Sequence, residues 1–420
     1  MPPFRWRYAF FIGLISYAAS LAAPIFDTFV PVFLQAGHPL WQDQTGMNLS
    51  LTGFALGPAV AFFIMTWDNL INLFLHPWAG AASDRTWNRW GRRKGWLLVG
   101  VPIAAVGLVA IPLATTVVGV MAAILVANLG RAIFVPPMVA WLGDLFPNAH
   151  RSQANATFGL IAGIAAILIL VASGALFEQV GRGAPFLLAA LLTLLLAGAG
   201  FLFVREPPPE KRQTAVPAVS IFAILRRRLS SDPNWRQVLL ALFFASVGTS
   251  VVSTGASSFA VFELGMSLGD ATTIQVVSVL AFILFALPSG VLATRIGRRP
   301  TVSLGILLVL LTDGATYFFV YTPALLAVTL FVAGIGAALV LINILPLVFD
   351  VGISEEFGAF TGLSAIPTQA AAIVGPSMAG LVVQAVGSQR VLFLVALIAL
   401  LAALFFLQQV QIPEASNNRL

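Results

Sequence analysis

Cysteine is missing from the 420-residue chain, and charge is scarce, with Asp, Glu, Lys and Arg together making up only 9% of it. Without thiols there is no disulfide, no thiolate metal site and no cysteine nucleophile. A soluble domain carries about 25% charged residues, so a chain this long with so few could not cover a soluble surface. Histidine is nearly absent too, and His38, His76 and His150 fall near predicted loops, which argues against a histidine proton relay. Neither His-Glu-x-x-His nor Gly-x-Ser-x-Gly occurs, nor does the Gly-x-x-x-x-Gly-Lys-Ser/Thr nucleotide loop. No enzyme activity, metal, cofactor or direct nucleotide drive is expected.

What is present is apolar: 59% of the residues are hydrophobic, in runs of roughly 20, the length that crosses a bilayer core as a helix. Barrel strands would alternate apolar with polar residues, and these runs do not. The predicted fold is therefore all-α, with twelve transmembrane helices over 10–34, 52–76, 96–114, 118–142, 154–177, 185–204, 237–262, 272–293, 301–321, 324–348, 359–384 and 390–408. Two N-terminal arginines precede an apolar run that continues through Leu34. A signal peptide's apolar region is only about 7–15 residues, so this is read as an uncleaved first helix.

Lysine and arginine collect in cytoplasmic loops. With the N-terminus inside, the basic residues fall inside except Arg182 and Arg390, which lie outside, and Arg131, which lies within a span. Both termini are thus predicted to be cytoplasmic in a multi-pass protein of the cell (inner) membrane. The basic balance needs no nucleic acid, because topology and anionic inner-leaflet lipid account for it. The longest polar stretch divides the helices six and six: an N-terminal bundle over 1–204, a linker over 205–236 and a C-terminal bundle over 237–420. Within the linker, Val219 to Leu229 reads as a short amphipathic surface helix.

A corner is repeated. Gly80-Ala-Ala-Ser-Asp84-Arg85 leads to Gly91-Arg92-Arg93-Lys94 after the second helix, and Gly290-Val-Leu-Ala-Thr294-Arg295 leads to Gly297-Arg298-Arg299 after the eighth. The spacing from glycine to Asp84 and to Thr294 is the same, but only the first copy keeps an acid. These segments resemble the cytoplasmic signature of the major facilitator superfamily. Five extra residues between Arg85 and Gly91 are similar to the variant in its glycoside–pentoside–hexuronide:cation and sucrose:proton symporters. Asp68-Asn69, Pro137 to Asp144, Arg151 to Asn155, Asn343 to Asp350, and Thr361-Gly362-Leu363 leading to Gly375-Pro376 resemble the same branch. The resemblance implies two pseudo-symmetric six-helix bundles that carry a small solute, a sugar or glycoside, with a proton or sodium ion by alternating access. An exporter of amphipathic or lipid-like molecules is the alternative on the same fold. A monomer is expected. The gating residues are Gly80, Asp84, Arg85, Gly91, Arg92, Arg93, Gly290, Arg295 and Arg298, with Asp84 meeting the start of the eleventh helix in one conformation.

An ionisable group inside a span is costly enough to suggest function. Asp27, Asp68, Arg131 and Asp313 qualify. At 1.5 Å of rise per residue, Asp68 lies about 24 Å from the outer face, Arg131 about 18 Å and Asp27 about 10 Å. Asp68 and Arg131 are expected to pair and to couple ion to solute, with Asp27 as a second acid. Asp313 sits on the ninth helix, which is peripheral in the superfamily. Arg131 stands thirteen residues before Asp144, further than the sugar-carrier branch places it. Solute contacts are expected from Trp67, Asn69, Asn72, Asn128, Asn343 and Gln369. Gln275 also lies in a span of the second half, and the hydroxyls of the seventh helix are read mainly as packing. Asp144, Asp350, Glu178 and Glu263 lie nearer helix ends, where water reaches them.

Overall fold

A backbone in lipid must satisfy its own hydrogen bonds, and the apolar runs accordingly fold as helices. The computed structural model describes residues 6–41, 53–146, 148–206, 232–351 and 357–411. The proposed surface helix Val219 to Leu229 lies outside the described residues, as do the side chains of Asp68, Arg151, Asn155, Asp350, Thr361 and Leu363.

The helices are α1 (Trp6–Ser20), α2 (Ala22–Gln35), α3 (Pro58–Ile64), α4 (Trp67–Arg85), α5 (Lys94–Leu113), α6 (Val117–Leu145), α7 (Asn148–Val180) and α8 (Ala184–Phe203). They continue with α9 (Pro233–Phe262), α10 (Leu268–Thr273), α11 (Val276–Ile296), α12 (Arg298–Phe319), α13 (Pro323–Val351), α14 (Phe357–Val386) and α15 (Val391–Gln408). Among the described residues, 11 helical stretches are long and apolar enough to cross a membrane, α1–α2 and α10–α11 each counting as one. The remaining crossing is made by α3 and α4, which part at Met65 and Thr66.

That second crossing lies further along the chain than the apolar pattern suggests. Residues 54–56 are non-helical, with Ala55 at φ +53°, and bond to the end of α2: Phe54 and Leu56 donate to the carbonyls of Phe33 and Leu34 at 3.0 and 2.8 Å. Pro58 then starts α3, where its missing N–H costs nothing. At the other end the helix runs on through His76 and Asp84 to Arg85. His76 is therefore well inside a helix, not beside a loop, which corrects the sequence expectation.

Successive crossings alternate in direction, so the bundle has an arginine end, carrying Arg92 and Arg93, and a far end. Small residues let helices approach closely in lipid. A Cβ on Gly100 would stand 2.7 Å from the Gly130 carbonyl between α5 and α6, and one on Gly305 would stand 2.8 Å from the Gly336 carbonyl between α12 and α13. The same device thus serves the same helix pair in each half.

Buried apolar side chains form three clusters among the described residues. One, at the arginine end, holds Ile12, Phe134 and Trp141 of the first half. Another at that end holds Trp235, Val302 and Leu407 of the second. The third lies towards the far end and merges both halves, joining Phe29, Trp41 and Phe62 to Phe259, Phe262 and Leu392. Trp41 stacks on Phe262 with ring centroids 5.2 Å apart. Among these residues the halves share a core at one end only.

Candidate functional site: a charged corner and a closed seam

The repeated corner folds differently in its two copies. In the first, Gly91 adopts φ +118°, a left-handed conformation that glycine accepts freely. This turn delivers Arg92 and Arg93 to the start of α5. Arg93 is 2% exposed, yet fully engaged: its guanidinium meets Asp84 at 2.7 Å, Asp144 at 2.9 Å and the Ser83 hydroxyl at 2.5 Å. Arg92 reaches Asp84 at 2.6 Å. A planar five-donor group suits such bridging better than an ammonium does. Asp84 itself stays half-exposed, its side chain 53% accessible. Asp144 is exposed near the helix end, where water reaches it, and its pair with Arg93 also anchors α6 to this corner.

The Glu206 carboxylate closes the same turn. It accepts the backbone N–H groups of Arg92, Arg93 (2.8 Å) and Lys94 (2.8 Å). Carboxylates are favoured at a helix N-terminus, where N–H groups lack partners and the dipole is positive. The five additional residues form a tight turn, with Asn88 and Gly91 exchanging backbone hydrogen bonds at 3.1 and 3.0 Å. Arg89 lies over the Trp90 ring at 4.0 Å.

The second copy has no acid at the matching position. Thr294 bonds back to the Val291 carbonyl of its own helix at 2.8 Å. Gly297 again has positive φ, +93°, but Arg299 donates to the main-chain carbonyl of Gln408 at the end of α15. Arg85, Arg295 and Arg298 are exposed, and a Cβ added at Gly290 would meet only open space.

At the far end the halves are joined by polar groups that composition alone does not single out. Gln35, Ser258 and Gln389 are all fully buried. Gln35 donates to the Ser258 hydroxyl at 3.1 Å and accepts from Gln389 at 2.7 Å. Glu178 accepts the Gly269 N–H at 2.9 Å, and Gln384 accepts the Ala59 N–H at 3.2 Å. Nearer mid-span, Thr66 and Ser377 hydroxyls lie 3.2 Å apart, and Gln275 donates to Thr28 at 3.2 Å. Glu263 supports this seam by accepting from Ser388 and the Gln389 N–H at 2.7 and 2.6 Å, with Arg390 at 3.7 Å. Each of these residues looks like an ordinary interfacial polar group in sequence. Their shared feature, a place at the far ends of helices from different halves, is visible only in three dimensions.

The expected solute residues are placed as follows. Asn128 is buried and accepts from Arg131 Nη1 at 3.3 Å, one helical turn along α6. Arg131 also lies within electrostatic reach of His76. The pairing expected between Asp68 and Arg131 lies outside the described residues on the Asp68 side. Asp27 is half-buried on α2, and its backbone carbonyl accepts from Ser257 of the other half at 3.4 Å. Trp67, Asn69, Asn72 and Gln369 are half-buried, and the Trp67 indole N–H has no partner among the described residues. Asn343 turns back to the Leu339 carbonyl at 2.9 Å, so its amide supports its own helix.

Solved structures share this architecture. A mutant form of the nucleoside transporter NupG superposes with a TM-score of 0.73 at 14% identity, covering 96% of this chain and 99% of that one. A POT family transporter in complex with 5-aminolevulinic acid gives 0.74 at 13%, covering 96% of each. A bacterial homolog of the human lysosomal transporter Spinster, inward-facing and occupied, gives 0.69 at 13%, covering 96% and 95%. At these identities the likeness establishes the fold. No curated protein matches the chain. The family described as MFS/sugar transport protein matches residues 11–408. With its all-helical bundle, its repeated corner and a match over nearly its whole length, the chain belongs to that family and is a membrane transporter, not an enzyme.

Proposed function

We propose that the chain is a secondary active transporter that moves a small polar solute, a sugar or glycoside, together with a proton or sodium ion. In this reading the halves 1–204 and 237–420 rock about a central site. The observation that supports it is the asymmetry of the seam: one core joins both halves at the far end, while each half keeps its own at the arginine end. Alternating access requires such a difference between ends. The positive-inside rule makes the arginine end cytoplasmic, so the seam closes the outer side and the site opens inward.

Asp84 then acts as a latch. Held by Arg92 and Arg93 in this state, it is free to meet the start of α14 when the cytoplasmic side closes. Asp68, Arg131 and Asp27 are the coupling groups in this reading, with Trp67, Asn69, Asn72, Asn128, Asn343 and Gln369 around the solute. The protein works as a monomer in the inner membrane with both termini cytoplasmic.

The test is transport by the full-length protein in liposomes, with a panel of sugars, glycosides and amphiphiles under imposed proton or sodium gradients. Gradient-driven accumulation of one sugar is the expected result. Movement of amphiphiles alone would select the exporter, and sugar uptake indifferent to every gradient would remove the symport.

A further inference from the structure

The second half contains a carboxylate that the transport reading above leaves unused. Asp313 lies in the fifth turn of α12 and is 4% exposed, and its Oδ2 has no hydrogen-bond partner among the described residues. A buried carboxylate without a partner in lipid is expensive and marks a functional group by default. Asp313 lines a cavity of about 30 Å³ walled by residues of α9, α10, α12, α13 and α15 together with Ile274 and Gln275. A single water needs roughly 10–15 Å³, so this space admits about two or three water-sized occupants. A sugar is excluded by size.

The polar groups on the cavity wall are mostly acceptors. Thr312, Thr316 and Thr329 share it with Asp313, and each hydroxyl donates its proton to a carbonyl one turn back, at 2.8, 2.7 and 3.0 Å. Their lone pairs are left for an occupant. Gln275 also lines the cavity, and its amide N–H donates to Thr28 and to the Ala271 carbonyl. The donors on the wall are therefore spent elsewhere. A carboxylate ringed by oxygens, with room for a small ion and its water, calls for a positive charge.

Among the described residues no basic side chain lines the cavity, and Asp313 is the one charged group on its wall. At the far-end side, Arg390 donates to the Tyr317 carbonyl at 3.4 Å, one turn beyond Asp313, and faces Glu263 at 3.7 Å. The cavity also abuts the joint between α10 and α11, where Ala271, Ile274 and Gln275 line it; Ile274 and Gln275 keep right-handed helical backbone there, so the crossing stays helical.

We propose that the Asp313 cavity binds a small monovalent cation, a sodium ion or a proton carried on water, with Asp313 as its counter-charge and the threonine oxygens as its shell. Because Gln275 touches both this cavity and Thr28 of the other half, occupancy is communicated to the seam. That this serves coupling rests on the transport reading; the cation site itself does not.

The experiment uses purified full-length protein in detergent and follows thermal unfolding. One arm titrates sodium chloride against choline chloride at constant pH and ionic strength. The other varies pH from about 5 to 8 in choline alone. A ligand that binds the folded state raises the melting temperature by mass action, so the parent responds in the sodium arm, the proton arm or both. Asp313→Asn is expected to shift the midpoint of that response at least tenfold. Should that variant fail to fold, Thr329→Val, which removes one shell oxygen, is expected to shift a sodium midpoint severalfold or a proton midpoint by a smaller, measurable amount. A parent indifferent to both cations overturns the proposal, as does an Asp313→Asn variant with the parent's response, or an unchanged Thr329→Val midpoint where only that variant folds. Solute counterflow without gradients is run separately. Its failure beside an intact cation response would count against the transport reading and leave the site standing.

Discussion

The carboxylate of Glu178 on α7 accepts the backbone N–H of Gly269 at the start of α10, 2.9 Å away. It is a charged tie between the halves, placed where the first helix turn has N–H groups to spare. Hydrogen bonds to charged groups contribute about 1.5–3 kcal/mol, and neutral ones about 0.5–1.5. Glu178→Gln should therefore cost the closed far end about 1 kcal/mol, a roughly fivefold shift towards the state open there. The chain has no cysteine, so Ser253→Cys on the exposed face of α9 gives a background-free probe. An impermeant maleimide should label it faster from the far side in the Glu178→Gln background. Equal rates in the two backgrounds would remove Glu178 from the gate.

Asp84 is shared between Arg92 and Arg93. Replacing it with asparagine keeps the shape and deletes the charge on which the proposed latch depends. Asp84→Asn should slow solute counterflow about tenfold, equivalent to about 1.4 kcal/mol on the rate-limiting step, while membrane expression is retained. Counterflow equal to the parent's would show that the acid is structural.

Arg93 bridges Ser83, Asp84 and Asp144 at once. Lysine carries the same charge but cannot fork to three partners. Arg93→Lys should lower stability by roughly 1–2 kcal/mol and Arg93→Ala by more, since the latter takes the guanidinium away from Asp144 and leaves Asp84 with Arg92 alone. Thermal unfolding in detergent orders the variants, and an alanine variant as stable as the parent would contradict this account.

Gly91 and Gly297 occupy matching turns, both at positive φ. A Cβ on Gly91 would collide with the Glu206 carboxylate, whereas one on Gly297 would meet only Pro300 at an ordinary 3.6 Å. Both alanine variants carry backbone strain of about 1–3 kcal/mol. Gly91→Ala should lose more than Gly297→Ala, because it also displaces the cap of α5. Melting temperatures in the reverse order would show that Glu206 does not hold this turn.

Most of the helices were legible from the apolar runs, and the register of the second crossing was not. There the predicted span begins at residue 52, but residues 54–56 bond to the end of α2 as a non-helical segment, a use of apolar residues that hydropathy does not distinguish from a helix. His76 moved from a helix end to a helix interior for the same reason. The corner was readable because glycine, acid and arginine recur at fixed spacing. Its internal wiring, with Arg93 rather than Arg92 buried between two acids, follows from how α4, α5 and α6 are rotated about their axes.

The class of fold and the duplicated corner follow from sequence alone, because lipid leaves a backbone few options and the corner's residues recur at fixed spacing. It took the tertiary fold to place Glu178, Gln35 and Gln389 in the seam at one end and to line a cavity with Asp313 beside the joint of α10 and α11. Those outcomes depend on contacts between helices distant in sequence, and each involves a lone polar residue whose meaning is set by the neighbour it meets.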